Sequence, residues 1–246
     1  MNRKISTLEK LKTAEAVYVL LSRITNLPYV ECDSETYDDQ IFLFYSEENA
    51  RKGADRFLKE KAPLQVIKVE KKSFLMFYTS LYPMGVNCIV VDDGTPMRIA
   101  IQLEELVRRV SPDQLPKGQI LVENPQFHLT AIYFVQEIRK NPGQEMTEEL
   151  SSLYEEMLAH FGRGKFLIAA SKNQGVLLLK GEGGKAYQPL FTDPHEFQKF
   201  DREKKFQAMT VDAGKLTGLL PPECDGVIVN PMGVKVQLRL EKRSSG

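Results

Sequence analysis

Apolar and polar positions recur along the chain with two periods, and the switches between them mark out the elements. Ile5, Leu8 and Leu11 fall at helical spacing among charges, which predicts an amphipathic helix over residues 5–16. Val17-Tyr18-Val19-Leu20-Leu21 reads as a strand, with a second short strand near 27–31 and a buried one over Gln40-Ile41-Phe42-Leu43-Phe44-Tyr45. Ser46-Glu47-Glu48-Asn49 supplies a hydroxyl cap and first-turn acids that oppose the helix dipole. The helix it opens should run to about Lys61, stopped by the neighbourhood of Pro63. Leu64 to Val69 is another strand, followed by a loop-rich or weakly helical stretch holding Phe74, Leu75, Phe77, Tyr78 and Leu81. Val86–Val91 and Met97–Leu103, joined through Asp92-Asp93-Gly94, predict a β-hairpin.

Pro112, Pro116 and Gly118 give residues 111–124 the composition of a linker. Two helices are expected beyond it, over about Pro125–Lys140 and Thr147–Phe161. The chain then begins again. Strands at 166–170, 175–180 and 186–191 lead into a helix ending near Lys205. A strand at 206–211 and a last pair around Asn230-Pro231-Met232-Gly233 complete the series. Tyr18 falls on Phe166, Tyr45-Ser46 on Phe191-Thr192, Gln65 on Gln207, Ile89 on Val227 and Asp92 on Asn230. The expected architecture is α/β (α+β-like): two tandem domains at 1–110 and 147–243, each a mixed sheet flanked by helices, with a one-helix linker at 111–146.

The stretch Tyr187-Gln188-Pro189-Leu190-Phe191-Thr192-Asp193 and the later Asn230-Pro231-Met232-Gly233 turn resemble the SseB family, named for enhanced serine sensitivity. A strand ending in Phe-Thr at the start of a helix and a late strand entering an Asn-Pro-x-Gly turn carry the likeness, which covers residues 147–243. In the first half Phe44-Tyr45-Ser46 stands for the Phe-Thr step and Asp92-Asp93-Gly94 replaces the turn, so the N-terminal copy is the more divergent. The resemblance implies a bacterial α/β protein without an accepted catalytic set.

Charge and composition narrow the function classes. Thirty-three basic residues balance thirty-three acidic ones, and 17 basic against 18 acidic precede Asn124, so neither half is polarised. The broad attraction that drives nucleic-acid binding is missing. Charges at Glu9, Lys10, Lys12 and Glu15 interrupt any signal-peptide core, and no apolar run approaches the ~20 residues of a membrane span. Cys32, Cys88 and Cys224 are too widely spaced for a zinc site or disulfide framework and suit a reducing, cytoplasmic setting, Cys224 being the more exposed. The five carboxylates between Glu31 and Asp39 miss the calcium-loop spacing and read as a solvated loop.

No catalytic, metal or cofactor signature emerges. His128, His160 and His195 lie on separate elements, and Lys180-Gly181-Glu182-Gly183-Gly184-Lys185 joins strands instead of opening a helix as a phosphate loop does. The candidate binding residues are Tyr45, Ser46, Phe191, Thr192, His195 and Asn230. Ser46 and Thr192 each follow a buried aromatic at a strand end, where a hydroxyl caps the next helix or helps hold an anion or a carboxylate. The expectation is a non-catalytic binding or protein-interaction module, whose partner is a protein or a small metabolite. The alternative is a metabolite sensor or enzyme with its site near Thr192 and His195.

Overall fold

The computed structural model describes residues 3–59, 61–109, 114–117, 120–143, 145–171, 175–181 and 184–240. The chain divides into two compact units, Met1–Gln119 with Gln136–Gln144, and Ile120–Val135 with Glu145–Gly246. No helix of the described residues is long and apolar enough to cross a membrane.

The first unit opens with helix α1 (Arg3–Thr13) and strands β1 (Ala16–Ser22), β2 (Val30–Cys32) and β3 (Asp39–Phe44). Helix α2 (Glu47–Lys59), strand β4 (Leu64–Glu70) and, after a 3-10 turn, helix α3 (Phe74–Leu81) follow. Strands β5 (Cys88–Val91) and β6 (Ile99–Gln102) and the single turn α4 (Leu103–Leu106) complete it. The sheet runs β4-β1-β3-β5-β6, with β2 also on β3, and only β3 and β5 are parallel. Five of the six residues of β3 and all four of β5 are buried, the continuous apolar run expected of parallel strands covered on both faces. Ala50, Gly53 and Phe57 form the buried stripe of α2. A methyl group on Gly53 would lie 2.7 Å from the Phe44 ring, so glycine lets helix and sheet approach.

The second unit carries the first part of helix α5 (Pro125–Lys140), helix α6 (Glu148–Arg163) and strands β7 (Lys165–Ser171), β8 (Gly175–Val176), β9 (Leu179–Lys180) and β10 (Ala186–Phe191). Helix α7 (Pro194–Phe200), strand β11 (Gln207–Asp212), the short helix α8 (Leu216–Leu219) and strands β12 (Gly226–Val229) and β13 (Val236–Arg239) follow. Its sheet runs β11-β7-β10-β12-β13, and β10 and β12 are parallel. Side chains alternate across it. Phe166 packs with Phe127 of α5 and Phe161 of α6, whereas Phe191 meets Phe197 and Phe200 on the α7 side.

The two sheets are connected alike, and their registers correct part of the expected alignment. Phe44 pairs with Tyr18 as Phe191 pairs with Leu167, and Leu43 with Val91 as Leu190 with Val229. Phe44-Tyr45 therefore matches Phe191-Thr192, one residue from the expected Tyr45-Ser46, and Tyr18 matches Leu167 rather than Phe166. The sequence comparison aligned hydroxyl with hydroxyl; the pleat aligns buried ring with buried ring. Residues 175–180, expected as one strand, are split, β8 pairing with β7 and β9 with β10. The helix expected to reach Lys205 ends at Phe200, where the Asp201 carboxylate accepts from the backbone N–H groups of Lys205 and Phe206. Helix α5, expected as part of a linker over 111–146, is divided between the two units. Phe127, Ala131 and Ile132 of α5 are buried core residues of the second unit, while Gln136 of the same helix donates to and accepts from the Val30 backbone in the first.

Candidate functional site

The corner where the parallel strands end is built around one residue in each unit. Asp92 and Asn230 both sit at positive φ, 50° and 48°, a conformation that short Asx side chains tolerate. Asp92 donates its N–H to the Leu43 carbonyl at 2.8 Å, and its Oδ1 accepts from the N–H of Tyr45 at 3.1 Å. Asn230 donates to Leu190 at 2.9 Å, and its Oδ1 accepts from the N–H of Thr192 at 3.0 Å. The Asx side chain thus extends the parallel ladder by one bond beyond the strand.

In the second unit this corner holds a closed polar network. The Thr192 hydroxyl donates to Asp193 Oδ2 at 2.7 Å and accepts from Asn230 Nδ2 at 2.8 Å. His128, from α5, places Nδ1 3.3 Å from that hydroxyl and Nε2 3.3 Å from Asn230 Nδ2. The proton positions follow from the donors. Asn230 is oriented by the backbone N–H it accepts, so its Nδ2 donates and His128 Nε2 must accept; the ring proton sits on Nδ1 and points to the Thr192 oxygen. Asn124 adds a donor to the carbonyls of Thr192 and Lys165, at 2.9 and 2.5 Å, while its own carbonyl receives the His128 N–H at the start of α5. His128, Thr192 and Asn230 are 0% exposed and Asp193 1%.

Thr192 is not the helix cap expected of it. Asp193 is: its Oδ1 accepts from His195 and Glu196 N–H at 2.8 and 3.0 Å, with Pro194 at the first helical position. Its counterpart by register is Ser46, which accepts from Asn49 N–H at 3.2 Å as expected. Among the described residues His195 joins the site through its backbone N–H, which donates to Asp193. Glu196, 3% exposed, pairs through Oε1 with Lys199 and keeps Oε2 3.0 Å from where a Gly233 side chain would begin. Glycine at the fourth position of the Asn230 turn therefore clears room for a buried carboxylate. We expect Ser46→Ala to cost about 1 kcal/mol and Asp193→Ala about 2–3 kcal/mol, since the latter also strips the Thr192 hydroxyl of its acceptor. Urea unfolding of the two variants measures the difference.

In the first unit Tyr45 takes the place of Thr192. Its hydroxyl donates to the Thr7 carbonyl at 3.3 Å and Lys10 Nζ lies 3.7 Å from its ring centre. Burial, aided by the Asp92 charge, raises its pKa above the ordinary phenol range. The following turn is held by Asp93, which pairs with Arg56 and, at 2.9 Å, with Arg98.

Among the described residues no group of three or more His, Cys, Asp or Glu side chains is placed to hold a metal ion. In the acidic segment, Asp33 Oδ1 accepts from Glu35 and Thr36 N–H, and Asp38 accepts from Asn87 and Gln102 side chains. Cys224, expected to be exposed, is buried, its thiol 3.0 Å from the Gly226 carbonyl, at the end of a turn that its own N–H closes onto the Pro221 carbonyl just before β12. Burial pushes the Cys88 thiol up to about 11. Cys32 alone is exposed, and partial burial followed by the charges of Asp39 and Asp33 holds its pKa above the usual thiol value.

Sequence reasoning brought Thr192 and Asn230 together and missed His128 and Asn124. The available signal was Asn124-Pro125, the same cap-then-proline step as Asp193-Pro194, here inside a segment taken for a linker.

The fold is thus that of a two-unit mixed α/β protein. No family model matches the chain, and no curated protein matches it. Among solved structures it is similar to Tic22 from Plasmodium falciparum, at 14% identity over 90% of this chain and 90% of that one with a TM-score of 0.24. A second, Anabaena Tic22 (protein transport), is covered over 93% of its length and 92% of this chain at 14% identity and a TM-score of 0.22. Superpositions of that quality do not define a common fold.

Proposed function

We propose that this chain is a non-catalytic binding module, working in a bacterial cytoplasm and related to the SseB family through duplication of one α/β unit. The observation that carries the reading is the fate of the Thr192 hydroxyl. It donates to Asp193 and accepts from Asn230 and His128, with no exposed surface. A catalytic or ligand-holding hydroxyl needs access to its substrate, and this one closes a corner of the core. At the equivalent place Ser46 caps a helix and the Tyr45 hydroxyl meets a backbone carbonyl. Like strand order in the two sheets supports duplication; the Phe191-Thr192 step and the Asn230 turn support the SseB kinship; three unbridged thiols support a reducing compartment. Binding then belongs to the surface.

The test uses the full chain. Proteins retained by the immobilised chain are identified, purified and titrated back by calorimetry, beside a thermal-shift screen of small metabolites. A saturable complex with a purified protein that survives His195→Ala supports the module. A metabolite whose stabilisation disappears in His195→Ala overturns it in favour of a small-molecule site.

A further inference from the structure

We infer that the open edge of β4 takes up an extended acidic peptide segment as an added strand, an assignment that rests on the binding-module reading. β4 lies at the end of its sheet and pairs with β1 over seven consecutive residues, Leu64 to Glu70, in unbroken one-to-one register. The direction of its unused hydrogen bonds follows from that register. Arg23 N–H donates to Pro63 O and Lys71 N–H to Glu15 O, so residues of odd number face β1. Leu64, Val66, Lys68 and Glu70 therefore turn N–H and C=O outward, and no strand among the described residues pairs with them. The strand has neither proline nor bulge, two of the devices that close natural edges, and its charges, Lys68 and Glu70, leave it open to a strand of complementary charge.

The ground beside this row is concave, and at each end its lining carries one more cation than anion. A cleft of about 420 Å³ adjoins Leu64 and Val66 and is lined by Arg23, Arg51 and Asp55. A second, about 540 Å³, is lined by Glu15, Lys68, Glu70, Lys71 and Lys72. Five cations thus stand against three anions. Arg51 and Lys72 are engaged with Glu47 and Glu70, whereas Arg23, Lys68 and Lys71 stand outside the ion pairs of the described residues, Lys68 near enough for its charge to act on Glu70. An added strand places every second side chain on the α2 face, beside Leu64 and Val66, and the others beside Ile67, which is 38% exposed. The matching ligand alternates β-branched apolar residues with carboxylates. Backbone bonds to the outward row supply affinity, and the lysines select the acidic sequence.

The equivalent edge, β11, is an internal control. Its ladder with β7 extends to Ala213 N–H donating to Gly164 O, so Ala208, Thr210 and Asp212 face outward. That row carries an acid where the β4 row also carries Lys68, and the neighbouring lysines, Lys215 and Lys165, both lie against Asp212, at 3.1 and 4.0 Å. An acidic peptide should discriminate against it.

The probe is a fluorescent eight-residue peptide alternating valine and glutamate, with its valine–lysine counterpart and a proline-interrupted version, titrated into the full chain and followed by anisotropy. Saturable binding of the acidic peptide alone is expected, with new amide protection confined to Leu64, Val66, Lys68 and Glu70. Val66→Pro removes one outward N–H without touching the ladder to β1 and should weaken binding about tenfold, the worth of one backbone hydrogen bond. Lys68→Glu, which leaves the backbone intact, should weaken it by a similar factor. Thr210→Pro should change nothing. Binding that survives both β4 variants, equal binding of the lysine peptide, or no saturable binding overturns the assignment. So does a dimer that Val66→Pro dissolves, because the edge is then occupied by a second copy. A purified protein partner indifferent to Val66→Pro would sink this edge and leave the module reading standing, whereas failure to find any protein partner counts against the module itself.

Discussion

Asn230→Asp is expected to destabilise the second unit by about 3–5 kcal/mol, the cost of an uncompensated charge in a buried network. The exchange is isosteric and keeps a side chain that tolerates the positive φ of this position, so it isolates the hydrogen bonds. The oxygen that receives the Thr192 N–H is retained. The donor to His128 Nε2 and to the Thr192 hydroxyl is replaced by a second acceptor, facing lone pairs on both sides. Calorimetry should show the affected transition falling by roughly 10 °C, at about 2–4 °C per kcal/mol for a chain of this size. Acidification should recover part of the loss, because a proton on the new carboxyl or on His128 restores a donor. Asp92→Asn in the first unit is the control: among the described residues only the N–H of Tyr45 donates to that side chain, and a change of at most about 1 kcal/mol is expected. Equal effects at the two corners would show that the His128 network contributes nothing special.

Gly226→Ala should be comparably severe, about 3 kcal/mol or more, for a different reason. A methyl group there would overlap the Leu238 carbonyl oxygen and lie 3.1 Å from the Arg239 Cα. Both are backbone atoms of the neighbouring strand, so no rotamer change relieves the overlap. Strands β12 and β13 must separate where Gly226 pairs with Arg239. Cys224 reports the separation, since its thiol is buried against the Gly226 carbonyl. In the parent protein a thiol reagent should label Cys32 alone before unfolding; in Gly226→Ala, Cys224 should label as well. A variant of parental stability with Cys224 still protected would show that the strands accommodate the methyl group.

The sequence made the sheets legible because their signal is local. A run such as Gly226–Val229, wholly buried, or an amphipathic helix such as Glu148–Arg163 needs only its own residues to declare itself. The equivalence of Asp92 and Asn230 was likewise visible, since each ends an apolar run in a turn. What failed depends on contacts between distant residues. His128 lies 64 positions from Thr192, and nothing in the pattern of α5 distinguishes it from a surface histidine. Matching Ser46 to Thr192 was an error of chemistry over geometry: the hydroxyls look alike, but the pleat puts Ser46 in register with Asp193. Pro112, Pro116 and Gly118 have the composition of a linker but cannot reveal that Phe127 beyond them is 1% exposed.

Because each unit is assembled from two separated stretches of chain, order of synthesis matters. When Gln119 leaves the ribosome, the first unit still lacks Gln136, whose amide meets Val30. The nascent domain must wait with that backbone unpaired until helix α5 is made. Expression fragments cut at residue 147 would likewise omit Asn124 and His128, and such a clone should emerge aggregation-prone however faithfully its strands are encoded.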